Sequence, residues 1–107
     1  MVSEDILRQA TETLVAKFDP ERVILFGSHA RGTADPCSDV DLLVVCEIPG
    51  NRRALMVEMH RTLRGFEFAR DILVLTPEEF ARDRHISATV ARPASQEGRI
   101  LYERPRG

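Results

Sequence analysis

Two aspartates, Asp39 and Asp41, stand where an apolar run begins, Val40-Asp41-Leu42-Leu43-Val44-Val45. Along a strand, successive side chains alternate between faces. The two carboxylates therefore project to one side while Val40 points into the fold. Carboxylates held side by side repel each other unless a cation lies between them. Asp41, inside the apolar run, is also expensive to bury without one. Hard oxygen donors of this kind suit Mg²⁺, which keeps some waters and fills its shell with substrate phosphates. The plainer reading of an Asp at the start of a strand is a turn former.

A second feature lies upstream and suits phosphate. The run Val23-Ile24-Leu25-Phe26 ends at Gly27-Ser28-His29-Ala30-Arg31-Gly32. A strand that breaks at Gly-Ser and feeds a helix presents backbone N–H groups and a helix dipole to an anion. Gly27 lets the chain approach a ligand closely, and the Ser28 hydroxyl can donate to a phosphate oxygen. The alternative is a simple glycine turn with a serine cap. Arg31, one helical turn from Ser28, is either a clamp on a terminal phosphate or a solvated surface arginine. Ser38 either bonds phosphate or caps the start of the second strand. Gly32 serves packing or the turn.

Helices and strands must hold these residues. Ser3 is placed to cap a helix whose apolar face is Ile6, Leu7, Ala10, Leu14 and Phe18, closed at Asp19-Pro20. Val23 to Phe26 reads as a strand buried on both faces, and Asp41 to Cys46 as a second. A short helix is expected from Ser28 to about Gly32. Met56, Met59, Leu63 and Phe66 mark the buried face of a helix ending near Gly65. Asp71-Ile72-Leu73-Val74-Leu75 is a third strand. Thr76-Pro77-Glu78-Glu79 opens a further helix with a Thr cap, Pro at the first helical position and Glu at the third. A helix reaching Glu97 and a last short strand, Ile100-Leu101-Tyr102, complete the pattern. Alternating helices and strands indicate an α/β layer arrangement. The connection between the first two strands, about a dozen residues, is marginal for a parallel crossover, so spacing alone leaves the sheet order open.

The ordered set Gly27-Ser28, Arg31-Gly32, Ser38-Asp39-x-Asp41, with a later Asp71 opening a strand in Arg70-Asp71-Ile72-Leu73-Val74-Leu75 and a terminal Glu97-Gly98-Arg99-Ile100-Leu101-Tyr102-Glu103, resembles the minimal nucleotidyltransferase (MNT) family, within the DNA polymerase beta-like nucleotidyltransferase superfamily. That resemblance covers essentially the whole chain. It implies an α+β fold, a mixed β-sheet with helices packed mainly on one face, like a polymerase palm. It further implies that Asp71 joins Asp39 and Asp41 on a neighbouring strand, completing the ligand set for two Mg²⁺ ions and helping to deprotonate an attacking hydroxyl. ATP is the implied substrate, with Gly27, Ser28, Arg31 and Ser38 around its phosphates. Proteins of this family commonly occur beside a HEPN-domain protein, as antitoxin and toxin. The resemblance implies transfer of AMP onto a tyrosine of that HEPN ribonuclease, within a hetero-oligomer. Two other readings stay open. One is an antitoxin that merely covers its partner, against which the presence of all three aspartates speaks. The other is the catalytic subunit of a small-molecule, antibiotic-type nucleotidyltransferase.

Composition bounds these readings. The length of 107 residues suits one domain, 1–107, with a single core. A net charge of -2 supplies no general field for nucleic acid, so direct nucleic-acid binding is not expected. Lys17 is the only lysine. Arginine forks suit phosphates and carboxylates, although the bias equally fits a GC-rich genome. No apolar run approaches the roughly 20 residues of a membrane span, and the start lacks a signal-peptide pattern. Cys37 and Cys46 have no metal-site spacing and read as reduced thiols, so a cytoplasmic location is expected. His29, His60 and His85 are scattered without ligand partners. Tyr102 reads as packing, and Asp35 as a turn residue.

Overall fold

In the computed structural model, the structure describes residues 3–27, 39–83 and 98–105. The described elements run α1 (Glu4–Phe18), β1 (Arg22–Phe26), β2 (Val40–Val45), α2 (Arg52–Thr62), β3 (Arg70–Leu75), α3 (Pro77–Asp83) and β4 (Arg99–Glu103). The strands form one mixed sheet in the order β3-β2-β1-β4. β1 pairs antiparallel with both β2 and β4, whereas β2 and β3 are parallel. The short β1–β2 connection thus returns antiparallel, and the parallel pair is reserved for the crossover that carries α2.

The helix ends follow local chemistry. The Ser3 hydroxyl accepts from the Ile6 N–H at 3.2 Å, and Asp19 closes α1 in a left-handed conformation with φ 47°. Asn51 caps α2 by accepting from the Ala54 N–H at 3.1 Å. At α3 the exchange is reciprocal: the Glu79 N–H donates to Thr76 Oγ1 at 3.1 Å, and the Thr76 N–H donates to Glu79 Oε1 at 2.9 Å. This is the capping box expected of Thr-Pro-Glu-Glu.

The sheet separates two apolar clusters by strand parity. Val23 and Leu25 of β1, Val40, Leu42 and Val44 of β2, and Ile72 and Val74 of β3 face α1 and α2, where Leu7, Ala10, Leu14, Met59 and Leu63 meet them. On the opposite face Ile24, Leu43 and Val45 pack beneath Phe80 of α3. Among the described residues, two helices on one face and one short helix on the other give the mixed sheet with helices mainly on one face. Burial of β1 and β2 from both sides explains their continuous apolar runs.

Several boundaries differ from the sequence expectation. Ile6 is 39% exposed, and Thr11 occupies the buried face in its place. The Thr11 hydroxyl is satisfied by the Leu7 carbonyl at 2.8 Å, so a threonine fits there without an orphaned polar atom. β2 begins one residue earlier, at Val40, because its N–H donates to the Ala69 carbonyl at 2.9 Å. α2 stops at Thr62, short of Gly65, and Leu63 and Phe66 pack from the turn that follows. The helix expected from Ser28 to Gly32 and the one expected to reach Glu97 lie outside the described residues.

Candidate functional site

Three aspartates come to one end of the sheet on one face. Asp41 and Asp71 are register partners across the parallel β2–β3 pair. Partners in such a pair point to the same side, on strands about 4.8 Å apart. Asp39, two residues before Asp41, shares that side by alternation. It is the side of Leu43 and Leu73, opposite α1 and α2. Asp39 and Asp71 are exposed, and Asp41 is half-buried. On its other flank Asp41 is register partner to Phe26, the last residue of β1.

Gly27 follows Phe26 and turns with φ 74°. A Cβ built there would overlap Oδ2 of Asp41 and stand 3.2 Å from its Cγ. The turn therefore needs glycine twice over: for its left-handed backbone, and for the space the Asp41 carboxylate occupies. The end of β1, the second aspartate and the third aspartate form one contiguous row, Gly27 to Asp41 to Asp71. Ser28, Arg31 and Ser38 lie outside the described residues.

The donor set is chemically suited to a hard divalent cation, being carboxylate oxygens only. The side chains as they stand are not gathered: no group of three His, Cys, Asp or Glu among the described residues is placed to hold a metal ion. The backbone brings the three carboxylates to one end and one face, and closing them on an ion requires side-chain rotation and the counter-charge of that ion.

The segment that delivers Asp71 is anchored by its neighbour. Arg70 turns to the opposite face and donates from Nη1 to the carbonyls of Phe66 and Phe68, both at 3.1 Å. Its Nη2 donates to the His60 carbonyl at 3.2 Å. The guanidinium also stacks 5.3 Å from the Phe68 ring centroid. One side chain thus collects carbonyls from the end of α2 and the turn after it, where helix carbonyls lack partners of their own. Desolvation by burial pulls the Arg70 pKa below its ordinary value, yet an arginine stays charged at neutral pH. Its spacing carried no signal of this role, because the acceptors are main-chain atoms contributed by a turn.

Remaining candidates divide simply. Tyr102 packs against the α1-side core, as expected. Cys46 is a buried free thiol, and burial, with Glu47 beside it, pushes its pKa up. Among the described residues no helix is long and apolar enough to cross a membrane.

Comparison with known proteins bears on the family and the fold. Residues 7–104 match the family model described as a nucleotidyltransferase domain. A Methanocaldococcus jannaschii protein, named as a candidate protein adenylyltransferase, is 52% identical over 42 residues, 39% of this chain. The chain aligns with only 26% of that relative's length. A candidate nucleotidyltransferase from Sulfolobus solfataricus superposes with a TM-score of 0.65 at 26% identity, covering 94% of this chain and 79% of that one. A toxin–antitoxin complex with AMP-PNP gives 0.58 at 20% identity over 91% of this chain and 73% of the other. A variant of the toxin–antitoxin complex MntA-HpeT gives 0.67 at 19% identity over 97% and 75%. At those two identities the likeness is one of fold. With the family model spanning nearly all of its length, this chain belongs to the nucleotidyltransferase domain family.

Proposed function

We propose that residues 1–107 act as one minimal nucleotidyltransferase that moves AMP from ATP to a hydroxyl of a protein acceptor, a tyrosine of a partner HEPN toxin, and so serve as an antitoxin. The observation that carries this reading is the Asp41–Asp71 register pair beside the Gly27 turn. Family membership supplies the reaction class. The adenylyltransferase name of the Methanocaldococcus relative and the toxin–antitoxin origin of two fold neighbours favour this acceptor class over a small molecule.

In this reading ATP lies with its outer phosphates on the Gly27-Ser28 turn, Arg31 and Ser38 supply further donors, and Asp39, Asp41 and Asp71 hold Mg²⁺. Bound there, the divalent ions would offset charge on the phosphates and lower the pKa of the acceptor hydroxyl. The acceptor oxygen forms a bond to the α-phosphorus while the bond to the β-phosphate oxygen breaks and pyrophosphate departs. The hydroxyl proton passes to a carboxylate oxygen of Asp71. The chain forms no covalent bond itself, so its contribution is positioning and electrostatics.

The test uses the full chain with labelled ATP, Mg²⁺ and the product of the adjacent reading frame, and repeats it with Asp39→Ala and Asp41→Ala. Label on the partner that disappears in both variants supports the proposal. Neutralisation of the partner that survives both substitutions points instead to binding alone. Label found only on a small hydroxylated compound points to the antibiotic-type reaction.

A further inference from the structure

The solvent side of α2 carries a feature that the nucleotide site does not use. Arg53, Val57, His60, Arg61 and Arg64 recur at positions i, i+4, i+7, i+8 and i+11, one stripe along the helix and the turn that ends it. Arg53, Arg61 and Arg64 are exposed, and Val57 is 50% exposed in their midst. Val57, His60, Arg61, Arg64 and Arg70 line an open concavity of about 390 Å³.

Among the described residues, the pairing of the cations sets this face apart. Arg8 lies against Asp5 and Glu12, Arg52 against Glu79, Arg99 against Glu4, and Arg104 against Asp19. On the stripe, Arg53 and Arg64 form no ion pair among the described residues, and Arg61 has only a loose contact with Glu58 at 3.6 Å. Positive charge is therefore left uncompensated on one helix face of a chain whose net charge is -2.

We propose that this stripe docks an acidic polypeptide surface. An exposed aliphatic centre ringed by arginines has the anatomy of a protein interface, and arginine forks match carboxylates in bidentate geometry. Nucleic acid fits less well, because its binders carry a basic domain or a continuous basic track, and here the charge is confined to one helix. The concavity is joined to the candidate site by consecutive residues: Arg70 forms part of its wall, and Asp71 projects from the other face of β3. The docked polypeptide is thus the acceptor protein, reaching around the end of the sheet. That identification rests on the proposed function, whereas the docking itself does not.

The experiment is fluorescence anisotropy on the full chain, without nucleotide. The probes are a labelled Glu/Tyr copolymer and a labelled single-stranded RNA of equal charge. Arg61→Glu/Arg64→Glu should weaken copolymer binding about tenfold or more, since like charge replaces complementary charge on the docking face. A charge-matched control, Arg8→Glu/Arg99→Glu, should change it less than about twofold, because it alters net charge equally on another surface. Arg53→Gln/Arg64→Gln, which removes charge without reversing it, should give an intermediate loss. Thermal melts and ATP binding of the stripe variants should match the parent chain. No copolymer binding, equal loss in the stripe and control variants, or stripe-dependent binding tighter for RNA than for the copolymer would each overturn the proposal. Because no transfer is measured, a failed transfer assay leaves this result standing, and a failed docking assay leaves the transfer reading standing.

Discussion

Gly27, in the turn that leaves β1, approaches Asp41 on the adjoining β2 so closely that the carboxylate fills the space a side chain on the glycine would need. Phe26, the residue before Gly27, is the register partner of Asp41. A turn built for close approach and an acidic side chain therefore share one corner of the sheet. Nucleotide and carboxylates would have to meet at such a corner.

Gly27→Ala should be disproportionately harmful. The left-handed backbone alone opposes a Cβ by about 1–2 kcal/mol, and the displaced Asp41 carboxylate adds to this. Gly50 is the matched control, since its φ of 124° is equally foreign to alanine while nothing lies within 4 Å. Both alanine variants should melt at lower temperature than the parent chain. Only Gly27→Ala should also lose label transfer from ATP, and thermal scans run beside the transfer assay separate the two effects.

Asp39→Asn, Asp41→Asn and Asp71→Asn keep side-chain shape while removing charge. Each should lower nucleotidyl transfer on the order of 10²–10³-fold, the range seen when one preorganised charge-stabilising group is lost. The melting temperatures of the Asp39 and Asp71 variants should not fall, because like charges at one sheet end repel and neutralising one relieves this. A transfer rate within a factor of two of the parent chain for all three would remove these residues from the site.

Arg70→Met keeps much of the side-chain volume but abandons three carbonyl acceptors. A loss of about 2–3 kcal/mol is expected, since charged hydrogen bonds are the stronger class and the turn carbonyls regain only water. Urea unfolding measures it. Arg70→Lys should recover little, because one ammonium cannot span carbonyls contributed by His60, Phe66 and Phe68.

Glu79 ties the start of α3 to Arg52, whose Nη2 lies 2.6 Å from Oε1. The Arg52 hydrogen bond, followed by the Thr76 backbone N–H, holds the Glu79 carboxyl below its ordinary value of 4.5. The folded state thus binds this proton more weakly than the unfolded chain does. The stabilisation is present above about pH 4.5 and is lost as pH falls through the depressed value. Glu79→Gln should therefore destabilise the chain at pH 7 and approach the parent's stability near pH 3. Urea titrations at the two pH values check this, and a difference unchanged between them would refute it.

Local chemistry and periodicity made most of the secondary structure legible from residues alone. Ser3, the Thr76–Glu79 box and the apolar runs of β1 and β2 declare themselves, because caps and strand burial are short-range properties. The fold family was legible from ordered motifs, and the shared face of Asp39 and Asp41 from their spacing. What neighbours what was not legible from the residues themselves, and only the family resemblance implied that Asp71 joins Asp41 on a neighbouring strand. That Asp71 stands beside Asp41, that Arg70 gathers carbonyls from a turn, and that Thr11 replaces Ile6 on the buried face all depend on strand order and helix rotation, which arise from packing between segments far apart in the chain. The parallel β2–β3 pairing decided the first of these: it alone brings position 71 level with position 41, and no local signal encodes a register between distant strands.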